Sequence, residues 1–473
     1  MENSNAVEQL KNKEFQEIAP GERRKGLRIS TLEGMFATVH GNLTGGVIFT
    51  SFLITLGAKN FHFAVLNAVS GLAQLVQIFS AFFISLIGKR KIVVIISALL
   101  SRLVLCAIVA LPYLMSWPTA LKVVIGAAFL WGALGSISGN AWSGWMSDLV
   151  PRRIRGRYFS SRNFVLMLTT IIFSLAAAWF LDQFSREPGK GITSLLPSVK
   201  GKWIFFPVNK MKAYVLLYSL GAIPAIISAM LIKRQVEPTR IEKARKQLKD
   251  FWASVKEPLK HSIFVKFLIF TSIYSLINSI AAPYWSPFLL ENLQISITTL
   301  AVCALVSQTC GLLTTRLWGS LCDKYGNRPV IVTTMFFASF HPLFYLIATK
   351  NFIIPVYIDF ASSGIMWMGF GIAMTNFLYT TATIEGKEML FAVYGIAGAG
   401  MVFVGSLLSG LLLSIIPSVN IKNLTWNNIQ ILFLLTSTLR FLALIFAIKL
   451  INETNTKSVR FMIKSLIGLK TNK

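Results

Sequence analysis

Gly319-Ser320-Leu321-Cys322-Asp323-Lys324-Tyr325-Gly326-Asn327-Arg328-Pro329 is a short polar turn set between two long apolar runs, residues 297–322 and 329–348. Each run is long enough to cross a bilayer as a helix, since about 20 apolar residues at about 1.5 Å per residue cover the hydrocarbon core. Outward from this turn the same pattern recurs. Apolar segments are predicted at 31–57, 62–88, 91–115, 119–147, 160–183, 212–233, 263–289, 297–322, 329–348, 352–380, 389–416 and 427–451. All have helix length rather than barrel-strand length, and only helices and closed barrels satisfy every backbone group in lipid. The expected fold is an all-α integral membrane protein of about twelve spans in two six-helix halves. It comprises an N-terminal segment 1–30, a first half 31–233, a linker 234–262, a second half 263–451 and a basic tail 452–473.

Composition agrees with this reading. Hydrophobic residues make up 54% of the 473 and charged residues 14%, against about 25% charged in a soluble domain; mean hydropathy is +0.63. The net charge of +27 does not point to nucleic acid, because the Lys and Arg sit in short segments between apolar runs. In or at the edges of the loops on one side lie 31 of them, against nine on the other, six of these near the long loop 184–211. Positive loops face the cytoplasm, so both termini are expected there, in a plasma or bacterial inner membrane. The first thirty residues lack the apolar core of a signal peptide. Cys106, Cys303, Cys310 and Cys322 fall in or at the ends of apolar runs and read as small hydrophobes, with no metal-ligand cluster. Thr239–Lys260 in the linker reads as a surface helix. The tail Thr454–Lys473 mixes apolar residues with lysines and suits either an anionic interface or solvent.

The turn 319–329 resembles the inside-loop signature of the major facilitator superfamily, Gly-x-Leu-x-Asp-Arg/Lys-x-Gly-x-Arg/Lys. On that resemblance Gly319 lets helices approach. Asp323 places a carboxylate at a helix end, where it can meet a neighbouring helix N-terminus or an arginine. Gly326 makes the reversal, and Lys324 and Arg328 anchor the loop. The second copy expected between segments 2 and 3 is degenerate: Gly88 and Arg90 survive, but Ala81 and Ser85 stand where the first glycine and the aspartate belong. Asp148 leads into Pro151-Arg152-Arg153-Ile154-Arg155-Gly156-Arg157, similar to the family's Pro-x-x-x-Arg-Gly-Arg loop. Glu385–Glu388, between segments 10 and 11, is degenerate. The family implies a monomer that moves a small solute by alternating access, with the inside loops as gates; these residues equally serve to fix topology.

Segments 1, 4, 7 and 10 line the cavity in that family. This ranks His40, Asn42, Asn140, Trp142, Tyr274, Asn278, Trp285 and Asn376 as cavity candidates, with Gln74 and Gln77 of segment 2 on one helix face. The set is mostly neutral hydrogen bonders and aromatics, suited to a polar neutral or amphiphilic solute. Buried Asn, Gln and His equally serve to pin helices together. Ionisable residues inside spans are costly and point to function. Asp359 is the main candidate for carrying a proton, with His40 second; Arg102 and His341 lie deep in their segments, and Glu33 and Arg316 near an interface. Glycines crowd segment 4 (Gly126, Gly132, Gly135, Gly139, Gly144) and segment 11 (Gly395, Gly398, Gly400, Gly405, Gly410).

No nucleotide-binding loop, zinc-protease motif or nucleophile elbow occurs, so an enzyme or an ATP-driven pump is not expected, and no cofactor is implied. Drug exporters of the superfamily carry a Gly-x-x-x-Gly-Pro-x-x-Gly pattern in segment 5, whereas residues 163–178 contain neither glycine nor proline. The readings left open are a proton-coupled solute carrier, an exporter of drugs or metabolites, and a transporter-like sensor without turnover.

Overall fold

A computed structural model describes residues 19–77, 79, 90–151, 154–184, 210–237, 256–381, 387–421, 424–451, 453, 459 and 462. Gly88, Ala81, Ser85, Arg152, Arg153, Glu385, most of the linker helix Thr239–Lys260 and nearly all of the tail lie outside them. The spans are α1 (Pro20–Thr44, continued by Gly46–Thr55), α2 (Asn60–Leu75), α3 (Arg90–Ala107, extended to Leu114), α4 (Trp117–Leu149), α5 (Arg155–Asp182) and α6 (Lys210–Arg234). They continue with α7 (Ser262–Ala281, extended to Asn292), α8 (Ile297–Tyr325), α9 (Asn327–Ala338 and His341–Ile347), α10 (Ile354–Thr381), α11 (Lys387–Ile415) and α12 (Asn428–Leu450). Among the described residues, eleven of these are long and apolar enough to cross a membrane; α2 runs on into undescribed residues. A short antiparallel pair, Val419–Ile421 with Leu424–Trp426, joins α11 to α12.

Helix α1 begins at Pro20, eleven residues before the apolar run. Proline is well placed in a first turn because its missing N–H has no helical partner there. The helix breaks where Gly45 is extended and Gly46 takes φ +55°. Gly326, at φ +93°, makes the reversal between α8 and α9, a conformation that side-chain-bearing residues avoid. Helix α9 is itself interrupted. Pro342 has no N–H for the carbonyl of Ala338, and in lipid that acceptor would go unsatisfied. Arg440 of α12 supplies the donor, Nη1 to Ala338 O at 3.0 Å, and Ser437 Oγ donates to the next carbonyl, Ser339 O, at 2.7 Å.

The described residues divide into two units: those within 1–57, 73–184 and 207–248 form the first, and those within 58–72 and 249–473 the second. The start of α2 therefore packs with the second unit. Asn67 Nδ2 donates to Ser406 Oγ of α11 at 2.7 Å, and a Cβ on Gly71 would lie 2.9 Å from the Ala399 carbonyl. Helix pairings in the two units repeat with an offset of six: α1 with α6 and α7 with α12, α1 with α5 and α7 with α11, α3 with α6 and α9 with α12.

The repeat extends to the helix ends. Three residues beyond α6, the Glu237 carboxylate accepts from the Lys91 backbone N–H at the start of α3 (3.0 Å). Three residues beyond α12, Glu453 accepts from the Arg328 backbone N–H (2.8 Å) and from Asn327 Nδ2 (2.6 Å) at the start of α9. In both units an anion sits on the positive end of a helix dipole. This corrects the expectation for Asp323, which is exposed and makes no hydrogen bond or ion pair among the described residues; the nearby helix N-terminus is occupied by Glu453 instead. Gly319 is also corrected, because a Cβ there would meet nothing within 4 Å and no close helix approach depends on it. Glu453→Gln keeps the hydrogen-bonding shape and removes the charge. It should cost about 1 kcal/mol in thermal unfolding of the detergent-solubilised chain, the effect shrinking in high salt; an unchanged melting temperature would show that the cap contributes nothing.

Candidate solute-binding sites

In the first unit, α1, α3, α4, α5 and α6 enclose a cavity of about 240 Å³, whose lining includes Glu33, Ser101, Arg102, Trp142 and Arg162. A carboxylate and two guanidiniums facing one space within membrane spans is costly unless the charges are compensated. Glu33 is 5% exposed. Its Oε1 accepts from Arg102 Nη2 at 3.2 Å and from Ser228 Oγ at 2.7 Å, while Arg102 Nη1 donates to the same serine at 2.7 Å. The three groups close a triangle across α1, α3 and α6. Helix α1 starts eleven residues before the apolar run, so Glu33 sits mid-helix rather than at a helix end.

Arg162 was not singled out by sequence, where it sits two residues inside its apolar run. Its guanidinium lies 4.6 Å from the centroid of the Trp142 ring and packs over Gly34, where any Cβ would press on it. Its Nε is buried without a hydrogen-bond partner, and no acidic side chain among the described residues pairs with it.

The other candidates of this unit divide. Trp142 lines the cavity within this unit. Asn140 is exposed and donates to the Gln77 carbonyl at 3.3 Å, while Gln74 is exposed, with no side-chain hydrogen bond among the described residues. Asn42 bonds its own helix at Thr38 O (2.8 Å) and reaches Thr170 of α5 at 3.5 Å. His40 is corrected. It is 4% exposed, lies outside the cavity lining, and donates from Nδ1 to the Gly221 carbonyl of α6 at 3.1 Å. Gly221 has no side chain, so the two helices meet closely enough to bury the imidazole between them. At the loops, Arg90 pairs with Asp148 and donates to Gly144 O at 3.1 Å, and Arg155 donates to Ser147 O at 2.7 Å. Arg157 is exposed, with no side-chain partner among the described residues.

In the second unit, α8 and α10 frame a cavity of about 620 Å³ whose lining includes Ser307, Gln308, Trp367, Thr375 and Asn376. That volume lies in the range of small-molecule sites, and no ionisable residue lines it. Asn376 lies in the lining of this cavity between α8 and α10. Gln308 and Trp367 were missed, although Trp367 is on segment 10 and its helix alone could have flagged it. Tyr274 is 4% exposed in an aromatic cluster with Phe270, Phe370 and Trp367, and Asn278 donates back to the Tyr274 carbonyl at 2.7 Å. Trp285 is corrected from lining to packing: it stacks on Phe433 with centroids 4.2 Å apart and tilts against Tyr345 at 4.7 Å.

Asp359 is 6% exposed beside this aromatic group. Tyr345 donates its hydroxyl to Oδ2 at 2.6 Å, and Oδ1 is buried with no partner. Arg440, also missed by sequence, is 3% exposed and lies 5.6 Å from the centroid of the Trp367 ring. Lys324 is exposed, with its ammonium 5.2 Å from the Tyr325 ring centroid. Arg328 anchors its loop to α12, Nη2 to Ile448 O at 2.6 Å.

The family model of the Major Facilitator Superfamily matches residues 35–399. The chain belongs to that superfamily. It is therefore a multi-pass membrane transporter by family, with the helical fold that the family's solved members share. A mutant form of the nucleoside transporter NupG superposes with a TM-score of 0.64 at 11% identity, covering 90% of this chain and 100% of that one. The D-xylose transporter XylE of E. coli, in an inward-open conformation, gives 0.60 at 16% identity, covering 94% and 99%. A bacterial homologue of the human lysosomal transporter Spinster gives 0.59 at 13% identity, covering 91% and 97%. Identities this low establish the shared fold and leave the solute open. A comparison with curated protein sequences returns no match.

Proposed function

We propose that this member of the superfamily is a proton-coupled secondary carrier, which moves a small polar solute by exposing it to one side of the membrane and then the other. The family match over residues 35–399 carries the reading. The cavity within each unit, mostly apolar with a few polar groups in the second and mixed in the first, supports it, as does the similarity to proteins named as transporters of nucleosides and D-xylose. The carrier works as a monomer in the cell membrane, with both termini on the cytoplasmic side, in keeping with the basic loops. Asp359 is the proposed proton carrier. A buried carboxyl with one oxygen held by Tyr345 and the other unpartnered is costly to leave charged and comfortable when protonated. The Arg90–Asp148 pair and the Arg328 and Glu453 contacts are the proposed loop latches, made and broken as access alternates.

The test is uptake into proteoliposomes against a panel of sugars, nucleosides, amino acids and their phosphorylated or carboxylated counterparts. Asp359→Asn should reduce proton-gradient-driven accumulation at least tenfold while leaving solute exchange at equal pH intact. Solute binding with no uptake and no exchange would replace the carrier by a sensor. Accumulation unaffected in the variant would remove Asp359 from coupling.

A further inference from the structure

We propose that the cavity of the first unit is an oxyanion site: it binds a carboxylate or phosphate group of the solute on Arg162. The inference rests on the carrier reading only for calling that ligand a transported solute; the site itself rests on the geometry of the cavity. Three ionisable groups line it, and their charges do not cancel. Glu33 is engaged by Arg102 and Ser228, which leaves Arg162 as a positive charge with no acidic partner among the described residues. A guanidinium does not occupy a membrane span at no cost, and the surroundings hold this one in a specific pose. Trp142 takes one face of it at 4.6 Å, and Gly34 provides the room it needs on α1.

A cation over an indole ring is attracted to it without forming a conventional hydrogen bond, and no hydrogen bond among the described residues uses the N–H donors of Arg162. Those donors form a planar fork that matches the two oxygens of a carboxylate or phosphate. The remainder of the lining is small or hydroxylic, including Ser101, Gly135, Ser138 and Gly139. Small residues leave open space beside the fork, and a volume of about 240 Å³ suits one oxyanion group rather than a whole drug-sized molecule. The sequence inventory, mostly neutral hydrogen bonders and aromatics, pointed to a polar, neutral or amphiphilic solute. The arginine contributed by α5 changes the chemistry this cavity selects.

Binding measures the site without requiring turnover. The purified full-length chain in nanodiscs would be titrated calorimetrically with inorganic phosphate, succinate, glucose 6-phosphate and glucose. The expected result is binding of at least one oxyanion and weaker binding of glucose than of glucose 6-phosphate. Preference between succinate and the phosphates identifies which oxyanion the site takes. Arg162→Gln should weaken oxyanion binding at least tenfold, and Trp142→Leu, which frees the guanidinium from its pose, should weaken it by a smaller factor. If Arg162→Gln does not fold, Arg162→Lys carries the test, because it keeps the charge and loses the fork. No oxyanion binding, glucose binding as tight as glucose 6-phosphate, or unchanged oxyanion affinity in a folded Arg162 variant would each overturn the proposal. Oxyanion binding without uptake would keep the site and reject the carrier; uptake of neutral solutes indifferent to oxyanions and to Arg162 would do the reverse.

Discussion

Glu33→Ala is expected to destabilise the chain by about 3–5 kcal/mol, the cost of breaking a buried ion pair from one side. The cause is the stranded partner rather than the lost attraction. With Glu33 gone, Arg102 keeps only Ser228 for its charge. Removing both charges together should restore most of the loss, so Glu33→Ala with Arg102→Met is expected to be more stable than Glu33→Ala alone. Glu33→Gln, which keeps an acceptor for Ser228, should fall between. Thermal unfolding of the three variants in detergent measures this directly. A single Glu33→Ala variant as stable as the parent would mean that the triangle across α1, α3 and α6 contributes nothing to the fold.

The second large effect is expected at Gly364. A Cβ there would run into the carbonyl and Cα of Ser307 on α8, and Gly311 faces the Gly364 carbonyl from the other side, its own Cβ position 3.0 Å away. The obstacle is backbone on both helices, so no side chain can rotate out of the way and α8 must move off α10. Overpacking usually costs about 1–3 kcal/mol; Gly364→Ala should sit at the upper end and Gly364→Leu beyond it. The same crossing holds the larger cavity, whose lining includes Ser307, Gly311 and Gly364, so stability and solute binding should fall together. Gly371→Ala, in the same cavity lining, is the control for stability alone. It lies two turns further along α10, and an added Cβ there meets nothing within 4 Å, so its effect should stay within about 0.5 kcal/mol. Equal losses at both positions would point to helix geometry rather than the crossing.

Glycine content along the sequence did not reveal which glycines matter. Segments 4 and 11 hold the densest sets, yet Gly126, Gly139 and Gly400 face open space. The tight crossings fall at Gly364 and Gly311, on helices with fewer glycines, and at Gly405 on α11, against Ser279 and the Leu276 carbonyl of α7. Packing distance depends on where two helices cross, and a single segment does not record its partner.

The apolar runs by themselves determined the helical class, the number of spans and, for most of them, ends within a few residues. In lipid each span must satisfy its own backbone, so length and hydropathy are sufficient evidence. The turn 319–329 identified the family, because its residues serve a local reversal that one stretch of chain contains in full. Tertiary structure decided the charges. Whether Glu33, Arg102, Arg162, Asp359 and Arg440 pair, stack, cap a proline-freed carbonyl or stand alone depends on neighbours far away in sequence. Glu33 meets Ser228 across 195 residues, and Arg440 meets Ala338 across 102. A charge within a span signals that compensation exists, and only the fold shows what compensates it.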